Sequence, residues 1–435
     1  MRIRIVNDAP LRAKGTHVVY AMTAARRLGW NYGLQRAAAL ARERRVPLVV
    51  LETLPLGASD RLRAFALDGM REHASCPYYY PYVEPEPGAG KGLLEALAKS
   101  AVAVVVDEDV PGGPGPEIDA RLEAVDSNGL LPLAATERVF VSAVQFRRFL
   151  QKTGFDDPPE PDPLEAGLAG PYEFPKDLLR RWPRAKVPST SSEWKGGHAA
   201  AVDALRRFKR KLGSYAEDRN HPDEDGTSGL SPWLRFGHIS AHEVVATVAP
   251  DRPVFTRKDG RKGEEAVDAF LDQLVTWREL GYNYAHKRPD YDRYESLPAW
   301  ARVTLERHAG DVRDPVYTRA ELEAARTHDP VWNAAQTQLL REGRLHTYMR
   351  MLWGKKILEW SPSPREALAT MIALNNAYAL DGRDPNSISG IFWCLGRYDR
   401  PWGPERPIFG KVRYMSSDAA RRKLRMESWL SRYAR

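Results

Sequence analysis

Two hydrophobic patterns divide the chain. Residues 18–22, 47–51 and 101–106, the last run closed by Asp107, are apolar at almost every position and have strand length. Between them, 31–42 and 93–99 carry Ala/Leu-rich helical spacing, and 138–141 reads as a later strand before a helix through Phe146. Apolar runs without alternation belong to strands covered on both faces. The first 150 residues are therefore expected to form an α/β domain with a doubly wound parallel sheet. From 151 to 190 the pattern breaks. Pro158, Pro159, Pro161, Pro163, Pro171, Pro175, Pro183 and Pro188 exclude one long helix and predict an interdomain connector. Beyond it the period becomes helical: 199–212, 263–277, 319–327, 334–341, 348–360 and 364–379. A helical domain over 191–435 follows, and no repeat of fixed period suggests a solenoid.

Composition narrows the class. The 435 residues hold 65 Lys+Arg against 57 Asp+Glu, a net charge of +8 that favours a polyanionic partner. Cys76 and Cys394 are the only cysteines, too few for a disulfide framework or a Cys-rich metal site, and the ten histidines lack metal-ligand spacing. No apolar run is long enough for a membrane span, and residues 1–6 lead into a strand without signal-peptide features, so a cytoplasmic protein is expected. Gly88-Ala89-Gly90-Lys91-Gly92 resembles a phosphate loop but lacks its spacing and its Ser/Thr, so a turn is expected. A Gly-x-Ser-x-Gly elbow is also missing, which removes the usual support for a hydrolase.

Three constellations carry chemistry. Tyr215 precedes Thr227, Ser228, Gly229, Leu230 and Ser231, three hydroxyls beside flexible glycines ahead of a helix. Such a segment suits a phosphate, and equally suits plain N-capping. Asp381-Gly382-Arg383-Asp384-Pro385-Asn386 follows Leu374-Asn375-Asn376. This tight turn can orient a polar heterocycle, or can be a salt-bridged loop. Ten of the twelve tryptophans lie beyond residue 190, and Trp353 and Trp360 are two helical turns apart, with Trp332 one helix earlier. Aromatic faces at helical spacing are usually core, but close rings can also pass electrons.

Together these segments resemble the flavin-binding domain of class II cyclobutane pyrimidine dimer photolyases, within the photolyase/cryptochrome family. The resemblance rests on 215–240, Trp277-Arg278-Glu279-Leu280, 327–333, 346–360, 380–386 and 405–415, and the α/β domain and proline-rich connector extend it over nearly the whole chain. It implies FAD, bent into a U, with Tyr215 and Thr227–Ser231 at the phosphates. Asp381, Gly382 and Arg383 would meet the ring edge, and Asn375, or else Asn386, the flavin N5. An electron relay would run from Trp353 to Trp332, with Trp360 adjoining. Trp277 and Trp393 would face a flipped dimer, and Arg235, Trp402, Arg406, Lys411 and Arg413 would join them in gripping UV-damaged DNA. The implied enzyme is a deoxyribodipyrimidine photo-lyase, a carbon–carbon lyase driven by blue light, acting as a monomer without a protein partner.

Three departures stand out. Gln273, in Phe270-Leu271-Asp272-Gln273, replaces a family glutamate that bonds the dimer; Gln273 can donate and accept but carries no charge. Gly229 replaces an arginine. The segment 20–27 lacks the usual tryptophan and acidic residue, which counts against an antenna chromophore of deazaflavin or folate type. The alternative readings are a flavoprotein that has lost efficient repair and serves as a cryptochrome-like blue-light sensor, and a flavin-free nucleic-acid-binding scaffold.

Overall fold

The computed structural model describes residues 1–57, 59–112, 116–161, 172–187, 194–250 and 264–434. The chain forms two compact units, each gathered from separated segments. The first takes Met1–Glu137, Gly154–Leu205 and Leu230–Asp251; the second takes Arg138–Thr153, Arg206–Gly229 and Arg252–Arg435.

The first unit is built on a six-stranded sheet: β1 (Ile3–Ile5), β2 (His17–Ala21), β3 (Leu48–Leu54), β4 (Tyr79–Val83), β5 (Ala101–Asp107) and β6 (Arg121–Val125), in the order β1-β6-β5-β2-β3-β4. All neighbours are parallel except β1, which pairs antiparallel with β6 at one edge. The central strands β2 and β5 are buried almost throughout, as their unbroken apolar runs require. Two strands escaped the sequence pattern for physical reasons. β4 contains Pro81, which lacks a ladder N–H and is tolerated because β4 is the other edge. β6 carries Glu123 inside the unit, neutralised by Arg36 at 2.7 Å and Arg121 at 3.4 Å. Asp107, at the end of β5, accepts from the backbone N–H groups of Thr23, Ala24 and Ala25 at 2.7–2.9 Å and from the Tyr20 hydroxyl at 2.6 Å.

The expected strand at 138–141 is not one. The segment belongs to the second unit, where the Phe140 N–H donates to Asn283 Oδ1 and Asn283 Nδ2 donates to the Arg138 carbonyl. A side-chain amide takes the place of a strand neighbour. Where it is described, the proline-rich stretch packs on the first unit. Its short helix Lys176–Arg181 is followed by Trp182, 4% exposed, whose indole N–H donates to the Ala89 carbonyl. Residues 162–171 and 188–193 of that region, with Pro163, Pro171 and Pro188, lie outside the described residues, as does Gly263. The Gly88–Gly92 segment is a turn, with Gly90 N–H donating to Glu84.

The second unit is helical. Five helices frame its interior: α1 (Arg278–Lys287), α2 (Pro330–Glu342), α3 (Thr347–Trp360), α4 (Pro364–Tyr378) and α5 (Pro385–Trp393). Their starts follow from local sequence. Asp329, Ser363 and Asp384 each cap a helix that opens with proline, the residue that forgoes an N–H where none is needed. The expected helix over 263–277 is helical from Glu264 to Leu271, then widens into a π-helical turn, Asp272–Trp277, where the Arg278 N–H donates to the Gln273 carbonyl. The expected 319–327 helix stops at Glu323, after a Thr318–Glu321 capping box and before Ala325, whose φ is 51°. Among the described residues no helix is long and apolar enough to cross a membrane.

Candidate flavin and lesion site

The core of the site is a polar network where α3, α4 and α5 meet. Asp381, 8% exposed, accepts from Arg350 Nη2 through both oxygens, at 2.9 and 3.0 Å. Arg350 Nη1 donates to Ser387 Oγ, which also accepts from Asn375 Nδ2 at 3.1 Å. Asn375 and Asp381, expected from sequence, are thus joined by Arg350 and Ser387, which were not. The partner of Asp381 is Arg350 on α3, not its neighbour Arg383. The Arg383 side chain is exposed, its φ is 67°, and its backbone N–H is held by Asn376 Oδ1 at 3.0 Å. Gly382 is required by close approach, since a Cβ there would lie 2.8 Å from the Asn375 carbonyl oxygen. Asn386 is the second residue of α5 and donates its N–H to Asp384.

Asp384 is the second carboxylate of the turn. Burial pushes its carboxyl above the usual range, against the pull of the Arg278 guanidinium and the Tyr282 hydroxyl, which donates at 2.8 Å. Arg278 is itself buried, and its Nη1 has no protein partner. An arginine directly after Trp277, on a helix otherwise rich in apolar and aromatic residues, was the available sequence signal.

The phosphate-type segment is anchored from one side. Arg344 Nη1 donates to Asp225 at 3.2 Å while its Nε donates to Glu342 at 2.9 Å, so the turn before Thr227 is tied to the α2–α3 connection. Tyr215 is buried edge-on between Phe208 and Phe270, with ring centroids 5.6 and 5.5 Å away, and Arg219 lies over its ring at 5.7 Å. His346, at the start of α3, is buried with both ring nitrogens unpartnered by side chains, and burial lowers it to about 4, so it is neutral. Thr227, Ser228 and Gly229 are half-buried loop residues, and Gly229 has φ 65°. Leu230, Ser231 and Arg235 fall in the first unit. There the N-cap of the helix Ser231–Phe236 is Leu230, which offers no side-chain cap bond. The Arg235 guanidinium lies 4.1 Å over the Phe236 ring.

The tryptophans form a chain. Trp332, Trp353 and Trp360 are all buried. Trp353 donates its indole N–H to Gln336 Oε1 at 2.8 Å, Trp332 donates to the Trp353 carbonyl at 3.0 Å, and the Trp332 and Trp360 rings meet at 5.7 Å and 72°. Trp360 in turn touches Tyr317 and His328 nearer the surface, at 5.5 and 5.3 Å.

A basic, aromatic patch lies on the same unit. Trp393 and Trp402 are half-buried, and Arg413 reaches over both rings, at 5.8 and 4.9 Å, with Arg400 over Trp402 at 4.4 Å. Arg406 and Lys411 are exposed on a tight loop strapped to the Ala299–Arg307 helix by the Lys411 N–H, which donates to Thr304, and to the turn beyond it by the Ile408 N–H, which donates to Asp311. Gln273 and Trp277, both half-buried, sit on the π-helical turn that leads into α1, and α1 packs against α5, the helix that ends in Trp393. Guanidinium groups beside partly exposed indole rings are a combination that grips a nucleic-acid backbone and stacks its bases.

No protein-family model matches the chain. It is 35% identical over 464 residues to a deoxyribodipyrimidine photo-lyase of Oryza sativa subsp. japonica, covering 99% of this chain and 90% of the relative. Among solved structures, a bacterial class III photolyase from Agrobacterium tumefaciens aligns with a TM-score of 0.70 at 16% identity over 97% of this chain and 86% of that one. An archaeal photolyase from Sulfolobus tokodaii, solved with two FAD molecules, aligns with a TM-score of 0.65 at 16% identity over 96% and 90%. The two structures establish the shared architecture, and the rice relative establishes descent: the chain belongs to the photolyase/cryptochrome family and is an enzyme of its photo-lyase branch.

Proposed function

We propose that the protein repairs cyclobutane pyrimidine dimers in DNA with light, as a class II photolyase holding FAD in its second unit. The carrying observation is the Asp381–Arg350–Ser387–Asn375 network, a largely buried, hydrogen-bonded polar wall at the crossing of three helices. The residues fit the cofactor. Among the described residues, Arg278 Nη1 and Arg219 Nε are buried donors without a side-chain or backbone partner, which suits a diphosphate-bridged dinucleotide. The archaeal structural neighbour supports the choice of FAD.

Bound in its reduced form, FAD would supply light-driven electron donation to the dimer and would regain the electron once the cyclobutane ring has opened. This chain does the positioning. Asn375, fixed by Ser387, and Asp381, fixed by Arg350, present an amide and a carboxylate to the ring edge. Tyr215, Thr227, Ser228, Arg219 and Arg278 hold the phosphates. Trp277 and Trp393 receive the dimer as it leaves the duplex, a step that costs least at a damaged, poorly stacked site. Arg400, Arg406, Lys411 and Arg413 grip phosphates without regard to sequence. Trp353, Trp332 and Trp360 pass electrons inward when the cofactor must be reduced.

The test is direct. Protein expressed with ample riboflavin should release FAD on denaturation, and illumination should remove dimers from a dimer-containing oligonucleotide. Released FAD with no dimer loss under light would replace this reading with the sensor; no flavin at all would end both.

A further inference from the structure

The second unit buries a lysine that the proposed chemistry has not used. Lys355 lies on α3 between Trp353 and Trp360 and has no exposed surface. Its ammonium donates to the Cys394 carbonyl at 2.7 Å and sits 5.0 Å from the centroid of the Trp393 ring. An ammonium stripped of water is costly unless something answers it. The answers here include one carbonyl, one aromatic face and the more distant Asp399 carboxylate.

The approach is set by the helix itself. Gly354 lets α3 close on the end of α5, because a Cβ there would lie 2.5 Å from Cys394 Sγ and 3.1 Å from Met371 Sδ. That contact brings the next residue, Lys355, under Cys394 and Trp393. Trp393 is thereby held on its inner side while remaining half-buried, with Arg413 also over its ring.

We infer that Lys355 is a positioning residue of the lesion site, a buried cation that fixes Trp393 and supplies positive potential to the dimer seated against that ring. The inference rests on the functional reading above. An electron placed on the dimer makes it anionic, and a fixed positive charge behind its aromatic wall, in a dry interior, favours that state over return of the electron before the ring opens. Lys355 itself gains no electron and passes no proton.

Burial lowers the Lys355 ammonium to about 8, with Cys394 and Asp399 raising it and Arg413 lowering it further. The Cys394 thiol is pushed up to about 11 by the same burial, against Lys355 and Arg350, so the two groups titrate apart. The charge, and with it the yield, is therefore present below about pH 8 and lost above it.

The experiment measures dimers split per absorbed photon from about pH 7 to pH 10, with FAD content and dimer affinity followed alongside. Wild-type yield should fall about threefold to tenfold across that range while bound FAD stays constant. Lys355→Met should give the low yield at every pH with a flat profile, and unchanged Trp353-dependent photoreduction. Should the methionine variant fail to fold, the wild-type profile alone decides. A flat wild-type profile, or a Lys355→Met yield equal to wild type, overturns the inference and leaves the repair reading standing. Wild-type protein that keeps FAD but splits no dimer at any pH overturns both.

Discussion

The Trp332 indole N–H donates to the backbone carbonyl of Trp353 at 3.0 Å, so two rings from different helices are held in register by one hydrogen bond. The spacing of Trp353 and Trp360 on α3 suggests that they are neighbours. In the fold it is Trp332 that lies between them in contact order, meeting the Trp360 ring at 5.7 Å.

A relay in that order makes each member necessary. Trp353→Phe should slow cofactor photoreduction by at least about tenfold while leaving FAD bound, since tunnelling requires rings in near contact. Trp332→Phe should do the same. Flash photolysis of the two variants checks this, and photoreduction at the wild-type rate in either removes that residue from the path.

Asp381 and Arg350 form a two-toothed buried pair, with side-chain exposures of 11% and 14%. Asp381→Asn leaves the guanidinium without its counter-charge and should cost about 3 kcal/mol. The expected readout is a lower urea midpoint together with reduced FAD content. A midpoint within error of wild type would show that water reaches Arg350 and that the network is not the buried wall described.

Gln273 sits on the π-helical turn beside Asp272, which Arg147 holds through two bonds of 2.6 and 2.8 Å. The turn is therefore anchored independently of residue 273, and Gln273→Glu should be accommodated. A carboxyl there can donate a proton-bearing bond to the dimer, so the repair yield per photon should rise by about twofold or more. Unchanged or lower yield means that the amide already does what the site needs.

Much of this was legible in sequence because it was local. Continuous apolar strands, proline-opened helices and the Asp381–Asn386 turn are each decided by a few adjacent residues. The pairing of Asp381 was not legible, since Arg350 lies thirty-one positions upstream and Arg383 is the closer arginine in sequence. The absence of a strand at 138–141 was equally hidden. An apolar run tells that a segment is covered, not whether a strand or an asparagine side chain satisfies its backbone. β6 was missed because Glu123, inside it, is neutralised by Arg36 from a distant helix and by Arg121 two positions earlier in the strand.

Stability should depend on pH through histidines buried in neutral form. His17 is fully buried against Tyr172, with ring centroids 4.1 Å apart, and burial lowers it to about 4. In the unfolded chain it takes up a proton below about 6.5. Between those values the unfolded state binds more protons, so stability is lost as pH falls. Going from about pH 7 to pH 5 should cost about 2 kcal/mol from this group. His17→Phe should flatten that part of the acid limb in urea titrations. An unaltered limb would place the acid sensitivity elsewhere, with neutral His238 and His346 as the next groups to replace.

The interleaved path of the backbone has a practical consequence. Both units draw on sequence from before residue 153 and from after residue 206. A protease nick in the intervening stretch yields two fragments, each carrying incomplete portions of both units. Neither fragment carries a whole unit. Cleaved protein should therefore stay together until denatured, and dissecting the enzyme into separately expressed halves would require re-ordering the chain rather than cutting it.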